Sequence, residues 1–216
     1  MQRKFSAIIP TLFKSPILLN NLLRILNQSE SVTEIILINN TTQDLKLENV
    51  SLKLNIQTPP ENLYVNPSWN YGFKLAQEEY LLILNDDIII SENFIENLSH
   101  MSIEDYGLIG VEEQSIQQTL DKTPYQTQED IIHEATARTW GYGIILVLKK
   151  DHFLEIPEEM KIWYGDDYIF NYWKKQGKKN GALKTIVKTQ MSITSNLPQF
   201  NAIKRRDGSL YKLFCE

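Results

Sequence analysis

Tyr80-Leu81-Leu82-Ile83-Leu84-Asn85-Asp86-Asp87-Ile88 is the stretch that decides the fold. Five apolar residues in a row, bounded by polar ones, describe a short buried strand. The run stops abruptly at an amide and two carboxylates. In open α/β sheets ligands bind just beyond the carboxyl ends of such strands. The same nine residues therefore mark a candidate site as well as a strand. Asn and Asp also favour turns through local hydrogen bonds, so a plain strand-end turn is the competing reading.

Toward the N-terminus the same grammar repeats. Phe5 to Ile9 is an apolar run closed by Pro10, and Glu34 to Ile38 is another, stopped by Asn39-Asn40-Thr41-Thr42. Between them Ser15-Pro16 reads as a helix cap followed by proline at the first helical position. Ile17, Leu18, Leu22, Ile25 and Leu26 then recur at helical spacing. A strand–helix–strand opening predicts a right-handed crossover and a largely parallel sheet. Residues 52–56 alternate as a third strand, broken by Pro59-Pro60, and a helix opened by Pro67 or Ser68 falls within 66–79. Trp69, Tyr71, Phe73 and Tyr80 are expected in the core.

Toward the C-terminus, residues 91–101 read as a helix capped by Ser91 and 106–111 as a strand. The span 112–139 is long, polar and weakly periodic, which predicts a functional loop, here a candidate acceptor-side or lid segment. Strand character resumes over 141–148, a helix is expected over 167–176 and a last strand over 183–187. The tail from Asn196, with Pro198 and Gly208, reads as a loop or a docked arm. There is no internal repeat.

The totals agree with one α/β domain over 1–216. A first half is expected at about 1–90, a second at 91–195 and the tail at 196–216. With 216 residues, 42% hydrophobic and 23% charged, the chain can bury one ordinary core. The net charge of −5 argues against a duplex nucleic-acid partner, which would call for a basic face. A single cysteine, Cys215, allows no intrachain disulfide. No apolar run approaches the ~20 residues of a membrane span, and Met1 to Lys4 lacks a signal-peptide pattern. The expected location is cytoplasmic.

Two acidic clusters could carry chemistry. Asp86 and Asp87 supply hard oxygen ligands suited to Mg²⁺ or Mn²⁺, which bridges phosphate oxygens and stabilises a leaving diphosphate. Gly165-Asp166-Asp167 opens a helix. There an acid serves either as a simple cap or as a general base, its pKa raised by the neighbouring carboxylate. Trp140-Gly141-Tyr142-Gly143 offers aromatic faces for a pyranose ring and glycines that let backbone approach a ligand, or else a bend before a strand. His100, His133 and His152 are isolated, with no metal-ligand spacing.

The order of these segments, over about residues 5–188, is similar to the inverting family 2 glycosyltransferases of the GT-A fold. Ser6 to Thr11 resembles that family's first strand. Residues 35–42 (IILINNTT) resemble its second strand, 62–72 (NLYVNPSWNYG) the segment leading to the donor-site helix, and 80–88 the DxD strand. Trp140 to Lys150 resembles the strand beside the acceptor site, and Trp163 to Asp167 the Gly-Glu-Asp motif of the catalytic base.

The resemblance implies a three-layer α/β/α fold and a metal-dependent transfer of sugar from a nucleotide diphosphate donor, a UDP-sugar first. The acceptor would be a glycan, a lipid-linked or a protein hydroxyl, and a lipid-linked acceptor leaves peripheral membrane contact open. By the same resemblance Pro10, Thr11, Asn39 and Asn70 face the donor, with Asp86 beside its diphosphate or ribose. Asp87, with Asp86, ligates the metal, and Arg205 or Arg206 assists the departing diphosphate. Asp167 is the base, with Asp166 where a glutamate is usual, and Trp140, Gly141 and Trp163 lie toward the acceptor. Asn39 and Asn85 depart from the aspartates common at their positions, and Thr189-Gln190 stands near the place of a late histidine ligand. A non-catalytic nucleotide- or glycan-binding module is the alternative. A sugar nucleotidyltransferase is disfavoured because no glycine-rich loop follows the first strand, and neither a GxGxxG nor a P-loop motif is present.

Overall fold

The computed structural model describes residues 2–41, 43–119, 121–127, 130–190 and 198–215. The first half holds β1 (Phe5–Thr11), α1 (Pro16–Gln28), β2 (Val32–Asn39), β3 (Leu54–Gln57), α2 (Asn66–Leu75), β4 (Tyr80–Leu84), β5 (Ile88–Ile89) and α3 (Phe94–Ser99). The second holds β6 (Tyr106–Val111), β7 (Ile116–Gln118), β8 (Ile131–Ala135), β9 (Ile145–Lys149), α4 (Gly165–Lys175), β10 (Lys179–Lys184), β11 (Val187–Thr189) and α5 (Asn201–Cys215). Eight strands form the main sheet in the order β3-β2-β1-β4-β9-β6-β10-β8, and β5-β11-β7 make a small second sheet.

β1 pairs in parallel with both β2 and β4, the arrangement the strand–helix–strand opening predicts. β9 runs antiparallel between β4 and β6, and β8 closes the far edge antiparallel to β10. The period of two along β1 sorts its side chains between two cores. Phe5, Ala7 and Ile9 pack with the α1 residues Leu19, Leu22 and Leu26 and with Phe94 of α3. Ile8 packs on the opposite face with Trp69 of α2 and Ile169 and Phe170 of α4. Each such fully buried aliphatic or aromatic side chain contributes about 1.5–3 kcal/mol. Two helical layers thus sandwich the sheet, with α5 added outside α4. α2 approaches β1 closely because Gly72 has no Cβ; one built there would lie 2.4 Å from the Ile8 side chain.

β4 and β6 coincide with the runs that predict them, and Trp69 and Tyr80 are buried. Other boundaries differ for physical reasons. β1 continues through Pro10 to Thr11; β4 pairs only with Phe5–Ile8, so the proline stands where β1 has a single neighbour. Ser15 occupies the cap of α1, yet its hydroxyl makes no capping bond. α3 is shorter than expected, and Asn93, not Ser91, stands at its cap position without making a capping bond. The expected strand over 183–187 straddles the break between β10 and β11.

The span 112–139 is not structureless. It contributes β7 and the edge strand β8, whose exposed His133 and Glu134 interrupt the apolar run. The largest correction is the tail: from Asn201 it is the 15-residue helix α5, despite Gly208. Packing overrides propensity there, as Tyr211 stacks on Tyr164 with ring centroids 4.9 Å apart. Residues 196–197 of the expected tail lie outside the described residues. No helix among the described residues is long and apolar enough to cross a membrane.

Candidate active site

The carboxyl ends of β1, β2 and β4 converge on a cleft of about 150 Å³, lined among others by Pro10, Thr11, Asn40, Tyr64, Asp86 and Asp87, with Phe200 closing it from the C-terminal side. This is the crevice that the acidic end of β4 predicts. The Thr11 hydroxyl donates to Asp86 Oδ2 and accepts from the Phe13 N–H at 2.8 Å, so β1 fixes the orientation of the first carboxylate. Surrounding protein raises the pKa of Asp86 to about 7, with the Thr11 hydrogen bond opposing and Asp87 adding to the rise. Asp87 is shifted upward as well, by burial.

Asp87 Oδ1 is buried and has no hydrogen-bond partner among the described residues. Two adjacent carboxylates short of counter-charge, one with an orphaned oxygen, suit a divalent cation. Among the described residues no third His, Cys, Asp or Glu joins them. That donor set fits Mg²⁺ or Mn²⁺, which keep several waters and share phosphate oxygens with a substrate. Thr189, expected near the place of a late ligand, donates its hydroxyl to the Asp87 carbonyl at 3.0 Å. β11 thereby braces the acidic turn.

The second acidic pair opens α4. The helix begins at Gly165, two residues earlier than its pattern predicts, so Asp166 and Asp167 both sit in the first turn, where the helix dipole favours negative charge. Gly165 is required: a Cβ there would lie 2.2 Å from Asn66 Oδ1. Burial raises the pKa of Asp167 to about 6, Asp166 adds to the rise and Arg138 opposes it. Arg138, which no spacing in the sequence singles out, donates from Nε to Asp166 at 2.9 Å and lies 3.4 Å from Asp167.

The loop leading into α4 is braced from both sides. From α2, Asn70 exchanges two hydrogen bonds with the Ile156 backbone (2.7 and 2.9 Å), and Asn66 donates to the Met160 and Trp163 carbonyls at 3.1 Å each. From α5, the fully buried Asp207 accepts the N–H groups of Lys161, Ile162 and Trp163 at 3.0, 2.8 and 3.0 Å. Tyr164 follows with a left-handed backbone, φ 64°. The other non-glycine residues of positive φ among the described residues are Tyr64, in the cleft wall, and Phe13, two residues after Thr11. Backbone held in that sparse region concentrates at functional sites.

The structure separates the expected site residues into those it gathers and those it does not. Pro10, Thr11, Asp86 and Asp87 share the cleft. Asn39 does not line it; its side chain accepts from Thr41 N–H and donates to the Gln43 carbonyl, and Asn40 lines the cleft instead. Asn70 is turned into the loop brace, with both ends of its amide engaged by the Ile156 backbone. Gly141 has φ 74°, a turn conformation that favours glycine, and Trp140 beside it is 44% exposed. Trp163 lies under the Lys204 ammonium, 5.8 Å from the ring centre. Arg205 and Arg206 are on the exposed side of α5 and make no ion pair among the described residues. Sequence reasoning missed Arg138, Asn66 and Asp207. The linear hint of Asp207 was an acid directly after the basic run Lys204-Arg205-Arg206.

Against known proteins, the family model described as glycosyl transferase family 2 matches residues 6–152. No curated protein matches the chain. Among solved structures, TarS of S. aureus (residues 1–349) superposes with a TM-score of 0.60 at 17% identity, covering 86% of this chain and 60% of that one. The mannosyltransferase PcManGT from Pyrobaculum calidifontis, in complex with GDP-Man and Mn²⁺, gives 0.61 at 10% identity, covering 90% and 59%. GalNAc-T7 with UDP, GalNAc and Mn²⁺ gives 0.60 at 11% identity, covering 87% and 44%. The chain thus spans between 44% and 60% of the length of these structures, and at such identities the likeness is one of fold. With the family model spanning more than half of the chain and the parallel strands ending in the acidic cleft just described, this chain belongs to glycosyl transferase family 2 and adopts its GT-A fold.

Proposed function

We propose that the chain is an inverting, metal-dependent glycosyltransferase that moves a sugar from a nucleotide diphosphate, a UDP-sugar first, to the hydroxyl of a glycan, lipid-linked or protein acceptor. The observation that carries this reading is the orphaned Asp87 oxygen beside Asp86 at the end of β4, in a crevice where strand ends are presented to a ligand. Asp86 and Asp87 would hold Mn²⁺ or Mg²⁺, and the bound ion would supply Lewis-acid stabilisation of the departing diphosphate.

The chain's own residues do the remaining work. Thr11 holds Asp86 in place, and Tyr64 and Phe200 wall the cleft. Asp167 takes the proton from the acceptor hydroxyl as its oxygen attacks the anomeric carbon. The bond from that carbon to the diphosphate oxygen breaks in the same step, so the configuration inverts. A pKa near 6 suits this base, because it is ionised at neutral pH yet retains affinity for the proton. The cytoplasm, where nucleotide sugars are made, is the proposed location.

The test is a thermal-shift panel of UDP, GDP, CDP, dTDP and ATP, each with Mn²⁺, with Mg²⁺ and with EDTA, followed by a transfer assay. A ligand bound only by the folded state raises its melting temperature. A metal-dependent rise with one diphosphate supports the donor site and names its base; no rise with any refutes the reading. Asp167→Asn should lower transfer by about 10²–10⁴-fold while leaving the nucleotide-induced shift intact. Near-full transfer by that variant would remove Asp167 from the mechanism.

A further inference from the structure

Arg138 lies between β8 and β9, outside both acidic motifs in sequence, and folding brings its guanidinium to the first turn of α4. Its Nε–H donates to Asp166 Oδ2 at 2.9 Å and stands 3.4 Å from Asp167 Oδ2. One N–H cannot make a short, straight bond to both oxygens, so the bond belongs to Asp166. Two further features set Asp166 apart. Its side chain is 7% exposed, against 19% for Asp167. Its Oδ2 also occupies the space left by Gly143, where a Cβ would lie 2.8 Å away. The Tyr142 hydroxyl is hydrogen-bonded to the Leu108 and Gly181 carbonyls and so gives Asp166 no second donor.

Resting on the reading of Asp167 as the base, we propose that Arg138 is a positioning residue that divides the work of the two carboxylates. It immobilises Asp166 in a hydrogen-bonded ion pair and leaves Asp167, the more accessible of the two, to exchange a proton with the acceptor.

The electrostatics agree with the geometry. Adjacent carboxylates raise each other's proton affinity, and a nearby cation lowers it. Asp167 is raised by burial first, then by Asp166, and Arg138 acts in the opposite direction. The groups that face this pair are Arg138 and the Tyr142 phenol, and the Tyr211 phenol of α5 acts on Arg138 from the other side. Tyr142 is held far above its ordinary pKa, mainly by burial, and is neutral over the working range. Among the described residues Arg138 is the cation paired with either carboxylate. Without it, Asp167 would keep its proton into the neutral range and fail as a base there.

The test is the pH profile of kcat for Arg138→Met, measured with saturating donor once the wild type has been shown to transfer. Methionine keeps an unbranched apolar stem and removes the charge. The acid limb should move up by about one to two pH units, the cation's usual effect on a neighbouring carboxylate. On that shift kcat near neutral pH should fall about two- to tenfold and recover at alkaline pH, while the donor KM stays within about twofold. Arg138→Lys, which keeps the charge, should return the limb most of the way to the wild-type position. An equal loss at every pH, or an unmoved limb, overturns the proposal, because a merely structural arginine lowers the rate without moving the limb.

A poorly folded Arg138→Met is addressed by the double variant Arg138→Met/Asp166→Asn, since replacing both members of a buried pair is far milder than removing one. With the repelling carboxylate gone its limb should fall back; a limb that stays high overturns the proposal. A wild type that binds nucleotide but transfers no sugar refutes the base assignment instead, before any variant is made.

Discussion

Replacing Asp207 by asparagine tests whether α5 is part of the catalytic unit or only lies against it. The carboxylate is fully buried and accepts three backbone N–H groups, from Lys161 on Oδ1 and from Ile162 and Trp163 on Oδ2. An amide offers one acceptor oxygen where the carboxylate offers two. Whichever way it turns, at least one buried N–H faces an NH₂ group. Hydrogen bonds to a charged group are worth about 1.5–3 kcal/mol each, and the bonds that survive become neutral ones of about 1 kcal/mol. The expected loss is therefore about 3 kcal/mol, on the low side of the sum because the loop can relax. For a chain of this size that lowers the melting temperature by about 6–12 °C if unfolding is two-state. If α5 instead undocks by itself, the loss appears as faster hydrogen exchange confined to residues 157–165 and 201–215, with little change in melting. Calorimetry and hydrogen exchange read by mass spectrometry separate the two routes. A variant that melts within about 1 °C of the wild type and exchanges no faster in either segment would refute the reasoning, since three charge-assisted bonds to a buried carboxylate cannot be lost without one of these signatures.

Further outcomes follow from the second acidic pair. Because its folded pKa is raised from 3.8 to about 6, Asp167 binds a proton in the folded chain over a range where the unfolded chain has released it. Its contribution to stability is thus full below pH 3.8 and is lost as the pH rises through about 6. Activity runs the other way: transfer should rise through about pH 6 as the base ionises, and a rate that falls over that range would count against Asp167. Gly143→Ala places a Cβ 2.8 Å from Asp166 Oδ2 and should push that carboxylate off Arg138. Transfer should drop about tenfold or more, as expected for a small misplacement at a reacting centre, with the nucleotide-induced thermal shift preserved. Unchanged transfer would show that Asp166 is not held where it matters.

Much of the acidic cleft was legible in the chain because it is written locally. An apolar run followed by acids is a feature of nine consecutive residues, 80–88, and the fold rule for strand ends turns it into a site without knowledge of any partner. The same holds for Pro10-Thr11, which end their own strand in the same crevice. The surroundings of Asn39 and Asn70 were not legible, for the opposite reason. Each is the right residue type at the right segment, but the choice between facing a ligand and facing backbone is made by a partner outside the segment. Asn39 is turned into its own loop through Thr41 and Gln43, and Asn70 is claimed by Ile156, 86 positions away.

The sequence by itself determined the α/β class, the parallel opening, the acidic turn at the end of β4 and the carboxylates at the start of α4. These depend on periodicity and on residues that act next to one another in the chain. Only the tertiary structure decided that the polar span 112–139 yields an edge strand and the arginine that pairs with Asp166. Only the tertiary structure, too, made the tail a helix whose one buried acid braces the loop before α4. Arg138 lies 28 positions from Asp166, and Asp207 46 from Lys161. A charge in a polar stretch looks solvated until folding removes water from around it, and its partner is set by how layers stack rather than by any spacing along the chain.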